Sequence, residues 1–162
     1  MKRNLAFVLV FLLFLFGSAN HGLSQSQTAK PDASRPAQDE IRHLLSAQVE
    51  AWNRGDLAGF MAGYWNSPDL TFFSGGNVAQ GWQAALERYQ RNYQGTGKEM
   101  GHLEFQDLNV DLLGERAALV RGKWHLTLSD GKTPHGLFTL ILKRFPEGWK
   151  IVHDHTSAAE EK

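Results

Sequence analysis

No cysteine occurs among the 162 residues. Its absence excludes disulfides, thiolate nucleophiles and cysteine-based zinc sites, and also lipoprotein processing, which needs a cysteine after the leader. Neither sign of charge dominates, because Lys plus Arg and Asp plus Glu number 17 each. Without a basic excess no nucleic-acid partner is expected, and without an acidic run no long solvated tail. The chain has no Gly-x-Ser-x-Gly elbow, no phosphate loop and no dinucleotide fingerprint. It shows no internal repeat. What it does have is 5 Trp and 10 Phe, ample for one core at a length that suits one domain.

One long hydrophobic run is present, Leu5 to Phe16, behind the basic pair Lys2 and Arg3 and ahead of Gly17-Ser18-Ala19. That order is the pattern of a secretory signal peptide over residues 1–19, with an uncleaved N-terminal anchor as the rival reading, for which the run is short. A periplasmic or secreted protein, with no membrane contact after cleavage, is therefore expected. Residues 20–37 are rich in Ser, Gln, Ala and Pro and read as a flexible linker. The folded domain is expected over 38–157, with 158–162 as a short tail.

Ile41, Leu44, Leu45, Val49 and Trp52 recur at helical spacing, with Asp39 and Glu40 in the first turn and Gly55 as the stop. Asp56 is placed to cap a second helix carrying Leu57, Phe60, Met61 and Tyr64. Leu70 to Phe73 reads as a short strand closed by Ser74-Gly75-Gly76-Asn77. Trp82, Ala85, Leu86, Tyr89 and Tyr93 mark a third helix. From His102 the period changes to two, and turn signals at Gly114-Glu115, Ser129 to Lys132 and Pro146 to Gly148 separate four strands. The fold class is α+β: a curved antiparallel sheet wrapped over three N-terminal helices, leaving a cone with an open end for a small molecule.

Titratable chemistry concentrates in Gly148-Trp149-Lys150-Ile151-Val152-His153-Asp154-His155-Thr156-Ser157. Strict alternation would set Trp149, Ile151, His153 and His155 on one face and Lys150, Val152, Asp154 and Thr156 on the other.

Three segments resemble the nuclear transport factor 2-like (cystatin-like) superfamily, in particular SnoaL-like proteins and the association domain of calcium/calmodulin-dependent kinase II. They are Ala51-Trp52-Asn53-Arg54-Gly55-Asp56, Gly75-Gly76-Asn77-Val78-Ala79-Gln80-Gly81, and the terminal strand from Trp149 to Ser157. The resemblance spans Ile41 to Ser157. It implies a cone with a deep pocket and a homodimer formed through the outer sheet face, but it implies no particular reaction. The kinase association domain lines its pocket with arginines; Arg121 matches one of them, and Leu140 stands where another would be.

Tyr64, Tyr89, Arg121, Trp124, His153 and His155 are thus the expected ligand-binding residues. Asp154 and His153 are the catalytic candidates. No cofactor and no metal site is expected; two histidines two residues apart suit a metal, but His102, His125 and His135 are not spaced to supply the third ligand. Asp154 is either a general base in an apolar pocket or a surface acid paired with Arg121 or Lys150. Arg121 either recognises a carboxylate or enolate in the cone or lies exposed on the outer sheet face. Of the two histidines, His153 is expected to face the pocket and His155 to be held by a hydrogen bond. Two functions compete. One is a binding module for an unknown small organic molecule. The other is a lyase- or isomerase-like enzyme of the ketosteroid isomerase or polyketide cyclase type, with Asp154 or a histidine moving a proton and Tyr64 or Tyr89 as hydrogen-bond donor.

Overall fold

The computed structural model describes residues 34–159; the expected signal peptide, residues 20–33 of the expected linker and residues 160–162 lie outside the described residues. Among the described residues no helix is long and apolar enough to cross a membrane. The elements run α1 (Arg35–Asn53), α2 (Leu57–Met61), β1 (Thr71–Ser74), β2 (Asn77–Gln80), α3 (Trp82–Tyr89), then β3 (His102–Leu112), β4 (Ala117–Thr127), β5 (His135–Phe145) and β6 (Gly148–Ala158). A wide π-type turn, Gln90–Gln94, extends α3.

Helix α1 starts earlier than its acidic pair suggested. A proline in the first turn fits the helix start, where its missing N–H costs nothing. Residues 35–37 are therefore helix rather than linker, and Asp39 and Glu40 fall beyond the first turn. The apolar stripe turns Ile41, Leu45 and Trp52 into the core. Asp56 caps α2 as expected, its carboxylate accepting from the Gly59 N–H at 2.7 Å. Asn53 holds β3 from both sides: its side-chain amide donates to Leu103 O at 3.0 Å, and its carbonyl accepts from Leu103 N at 2.7 Å. Trp52 Nε1 donates to Met100 O at 2.9 Å. The first of the three characteristic segments thus seats α1 against the start of β3.

The second segment forms a hairpin. Gly75 and Gly76 have φ of 55° and 77°, the left-handed pair that a two-residue turn between antiparallel strands requires. Strand β2 beyond it was not separated by the sequence reading from the loop leading to α3. The six strands form one sheet in the order β2-β1-β6-β5-β4-β3. All pairings are antiparallel except β1 with β6, which is parallel. The helices cover one face, and the core lies between helices and sheet, with Leu142, Ile151, Val120, Leu45 and Met61 fully buried.

Two bulges shape this sheet. In β3 the register shifts between Gln106 and Asn109, and Asp107 takes a φ of 53° there. In β6, Leu142 pairs with Ile151 and Ile141 with His153, so Val152 is an extra residue. A bulge places two residues opposite one and bends the strand. It also resets the alternation, and that decides which side chains enter the interior.

Candidate functional site

Beyond the bulge at Val152, the inward-facing residues of β6 are Asp154 and Thr156. The strict alternation expected from the sequence is therefore corrected: Ile151 and Asp154 share the inner face, and His153 and His155 turn away from it. Asp154 is only 3% exposed, whereas His155 is exposed.

A cavity of about 220 Å³ opens between the helices and the sheet, and Asp154 lies in its wall. Helix α1 contributes Gln48 and Trp52, α2 contributes Phe60, and α3 with its extension contributes Arg88, Tyr89, Asn92 and Tyr93. The sheet supplies Phe72, Phe105, Trp124, Phe138 and Leu140 among others. Its aromatic side is tightly interlocked: Trp52 meets Phe60 edge-on at 5.0 Å, Phe60 meets Tyr89 at 5.2 Å, and Tyr89 stacks on Tyr93 at 6.0 Å.

Asp154 is held by two hydroxyls. Tyr64 donates to Oδ2 at 2.8 Å, and Thr156 donates to Oδ1 at 2.7 Å. Tyr64 and Tyr89 Oη lie 3.2 Å apart. With the Tyr64 proton given to Asp154, Tyr89 donates to Tyr64, and the three groups form one chain. Burial drives the Asp154 pKa up, and hydrogen bonds from Thr156 and Tyr64 together with the charges of His155 and Arg88 restrain it, leaving it at about 6. Burial first, and then the Asp154 charge, push the Tyr64 and Tyr89 phenols well above their ordinary value. Burial raises Tyr93 too, and its hydroxyl bonds no protein group among the described residues.

Of the residues singled out from sequence, Tyr64, Tyr89, Trp124 and Asp154 line this cavity. Trp124 is fixed there by Nε1 donating to Ser157 O at 3.0 Å. Arg121, His153 and His155 lie on the other face of the sheet. Arg121 pairs with Asp111 at 2.6 Å and donates to Asn109 at 3.2 Å, both on β3, so it does not reach a ligand in the cone. Lys150 donates to Ala62 O at 2.8 Å, so neither basic residue proposed as a partner of Asp154 pairs with it. The expected division between the histidines is also corrected: neither lines the cavity, and it is His153 rather than His155 that a hydrogen bond holds. His153 Nδ1 lies 2.6 Å from Thr71 Oγ1 and its ring meets Phe73 edge-on at 4.9 Å. Burial, and then the neighbouring charge of His155, depress the His153 pKa.

Sequence reasoning passed over Thr156, Tyr93 and Arg88 as site residues. Tyr93 carried a usable signal, lying four residues after Tyr89 on the same apolar stripe. Arg88 carried none, since an arginine beside an amphipathic stripe reads as a solvated residue. Among the described residues no three His, Asp or Glu side chains gather as metal ligands would.

The SnoaL-like domain family matches residues 41–161 of this chain. An NTF-2 like protein of unknown function from Shewanella oneidensis MR-1 is 39% identical, with 74% of this chain and 98% of that one covered at a TM-score of 0.68. A nuclear transport factor 2-like superfamily protein from Salmonella enterica is 21% identical, covering 80% and 96% at a TM-score of 0.64. A putative calcium/calmodulin dependent protein kinase II association domain from Xanthomonas campestris is 18% identical, covering 76% and 88% at 0.57. The last two show likeness of fold alone. No curated protein matches the chain. The matched span takes in every element from the body of α1 to β6, including all the side chains that surround Asp154, and the chain belongs to the SnoaL-like domain family of the nuclear transport factor 2-like superfamily.

Proposed function

We propose that this domain binds a small, largely apolar carbonyl compound in the cavity and moves a proton on it through Asp154, as a lyase- or isomerase-like catalyst. The observation that carries the reading is a carboxyl group buried in an aromatic cavity with its pKa raised to about 6, joined to two tyrosines. A base whose pKa lies near neutrality is deprotonated at pH 7 and still basic enough to take a proton, which is the compromise acid–base catalysis favours.

In this reading the Asp154 carboxylate removes a proton from the carbon beside the carbonyl. The C–H electron pair moves into the new C=C bond, and negative charge collects on the carbonyl oxygen. Tyr93 is the tyrosine with an uncommitted hydroxyl, and it supplies the hydrogen bond to that oxygen; Tyr64, backed by Tyr89, keeps Asp154 oriented. Where the compound carries a C=C bond beyond the deprotonated carbon, the charge spreads over a dienolate, and return of the proton from Asp154 to its far end shifts the double bond and completes an isomerisation. The apolar wall excludes water that would level the base.

Binding without turnover is the rival, and it needs no raised carboxyl pKa. Ligands retained by the purified protein, identified by mass spectrometry, supply candidate carbonyl compounds. In D2O the protein should then exchange the proton beside the carbonyl, at a rate rising through about pH 6. Asp154→Asn should abolish exchange and leave binding. Binding by both proteins with exchange by neither establishes the rival.

The proposal also includes export, supported by the order of features in residues 1–19. N-terminal sequencing of exported material should find a start near Asn20; an intact Met1 on protein retained in the cytoplasm would refute export.

A further inference from the structure

The cavity wall carries two charged side chains, Asp154 and Arg88, and only Asp154 is hydrogen-bonded by the protein. Arg88 makes no hydrogen bond or ion pair among the described residues; its guanidinium lies over the Phe72 ring at 5.2 Å from the centroid. Its neighbour Glu87 is engaged elsewhere, with Gln83 at 3.2 Å and Arg91 at 3.9 Å. Arg88 is half-buried, so its planar fork of N–H donors is held on an aromatic face with part of its water removed. An unpaired guanidinium in that setting is a ready receptor for an anion.

We infer that Arg88 is a specificity-determining residue, and that the molecule bound in the cavity is an organic carboxylate whose acid group pairs with Arg88 while its apolar body lies among the aromatic side chains. This rests on the cavity being the ligand site proposed above. A carboxylate suits the place better than a phosphate. One guanidinium offers two parallel N–H bonds to one carboxylate, and among the described residues no second cation lines the cavity to balance a dianion. The Asp154 charge repels an acid group, so of the two charged side chains Arg88 is the one that stabilises an anion in the cavity.

The pair 2-naphthoate and 2-naphthamide tests this, because the two share a shape and differ in charge. Titration of the protein at pH 8, followed by the fluorescence of cavity residues Trp52 and Trp124, gives both affinities with Asp154 ionised. The acid is expected to bind roughly tenfold tighter than the amide or better, the size of a charge-assisted pair. Arg88→Gln should bring the ratio near one with the amide affinity unchanged, and Arg88→Lys should restore part of it. Circular dichroism melting checks that each variant folds. Equal binding of acid and amide by the native protein, or a preference surviving Arg88→Gln, overturns the anion site while leaving the cavity a ligand site. If neither probe binds, both readings fall together.

Discussion

Asp154 carries a cost that stability measurements should reveal. Its folded pKa of about 6 stands above the ordinary 3.8, so between those values the folded protein holds a proton that the unfolded chain has released. Protonation therefore favours the folded state. Its contribution is fully present below about pH 4 and is lost as pH rises through about 6. The loss is of order 3 kcal/mol at neutral pH, since each pH unit separating the folded and unfolded values is worth about 1.4 kcal/mol. Asp154→Asn keeps the shape and removes the charge, so it should melt higher than wild type at pH 8 and nearly level with it at pH 4. Under the proposed function, proton exchange would be lost as stability is gained, the pattern expected of a residue retained for function. A variant that melts below wild type at pH 8 would contradict the buried carboxylate.

The two histidines make a second comparison at this scale. His153→Ala removes the bond to Thr71 and the edge contact with Phe73, and should lower stability by roughly 1–2 kcal/mol. His155 is exposed, and His155→Ala should cost less than about 0.5 kcal/mol. Both variants should bind the proposed cavity ligand as wild type does, because neither histidine lines the cavity. Guanidinium unfolding of the two variants decides it; equal midpoints would remove the structural role of His153.

At the scale of the element, the bulges do what alternation alone would not. The β6 bulge absorbs Val152, so Ile151 and Asp154, three residues apart, both face inward. The β3 bulge sits opposite Gly122 of β4, where the inner face is crowded. A Cβ there would stand 2.5 Å from Phe138 Cζ and 2.9 Å from Leu108 Cδ2. Gly122→Ala must push the Phe138 ring, which lines the cavity, and should cost about 1–3 kcal/mol as overpacking does. It should also alter binding in the proposed ligand cavity, since Phe138 lines it. An unchanged denaturation midpoint would mean that the sheet opens at that point more readily than its packing implies.

At the scale of the whole molecule, the helices cover one side of the sheet and leave the other outward. Leu137 and Ile141 of β5 are 59% and 37% exposed on that outer side. Charged pairs, Arg121 with Asp111 and Lys123 with Asp107 at 2.7 Å, share it. Exposed apolar residues framed by ion pairs suit a surface that meets a second copy of itself. We propose a homodimer through this face. Light scattering at micromolar concentration should give twice the chain mass, and Leu137→Glu should return the monomer with its cavity intact. A native protein of single-chain mass would refute the proposal.

Much of the fold was legible because it is written locally. The spacing of Ile41, Leu45 and Trp52 makes α1 on its own terms, Asp56 caps α2 with its own side chain, and Gly75-Gly76 turns a hairpin through backbone freedom that only glycine has at no steric cost. The three characteristic segments were enough to name the superfamily. The lining of the candidate cavity was legible in part: Tyr64, Tyr89, Trp124 and Asp154 line it, while Arg121, His153 and His155 do not. The reason is parity. A strand's alternation says which residues share a face, but not which face is inside, and a single bulge reverses the answer for everything beyond it. Whether β6 bulges at Val152 depends on its register with β5, and the face of Arg121 depends on the pairing of β4 with β3 and β5; both belong to pairs of strands. Arg88 and Tyr93 came to line the cavity only when α3 and its wide last turn packed against the sheet. Residue types and element boundaries followed from the chain itself, and the inward turn of Asp154 followed from the sheet it joins.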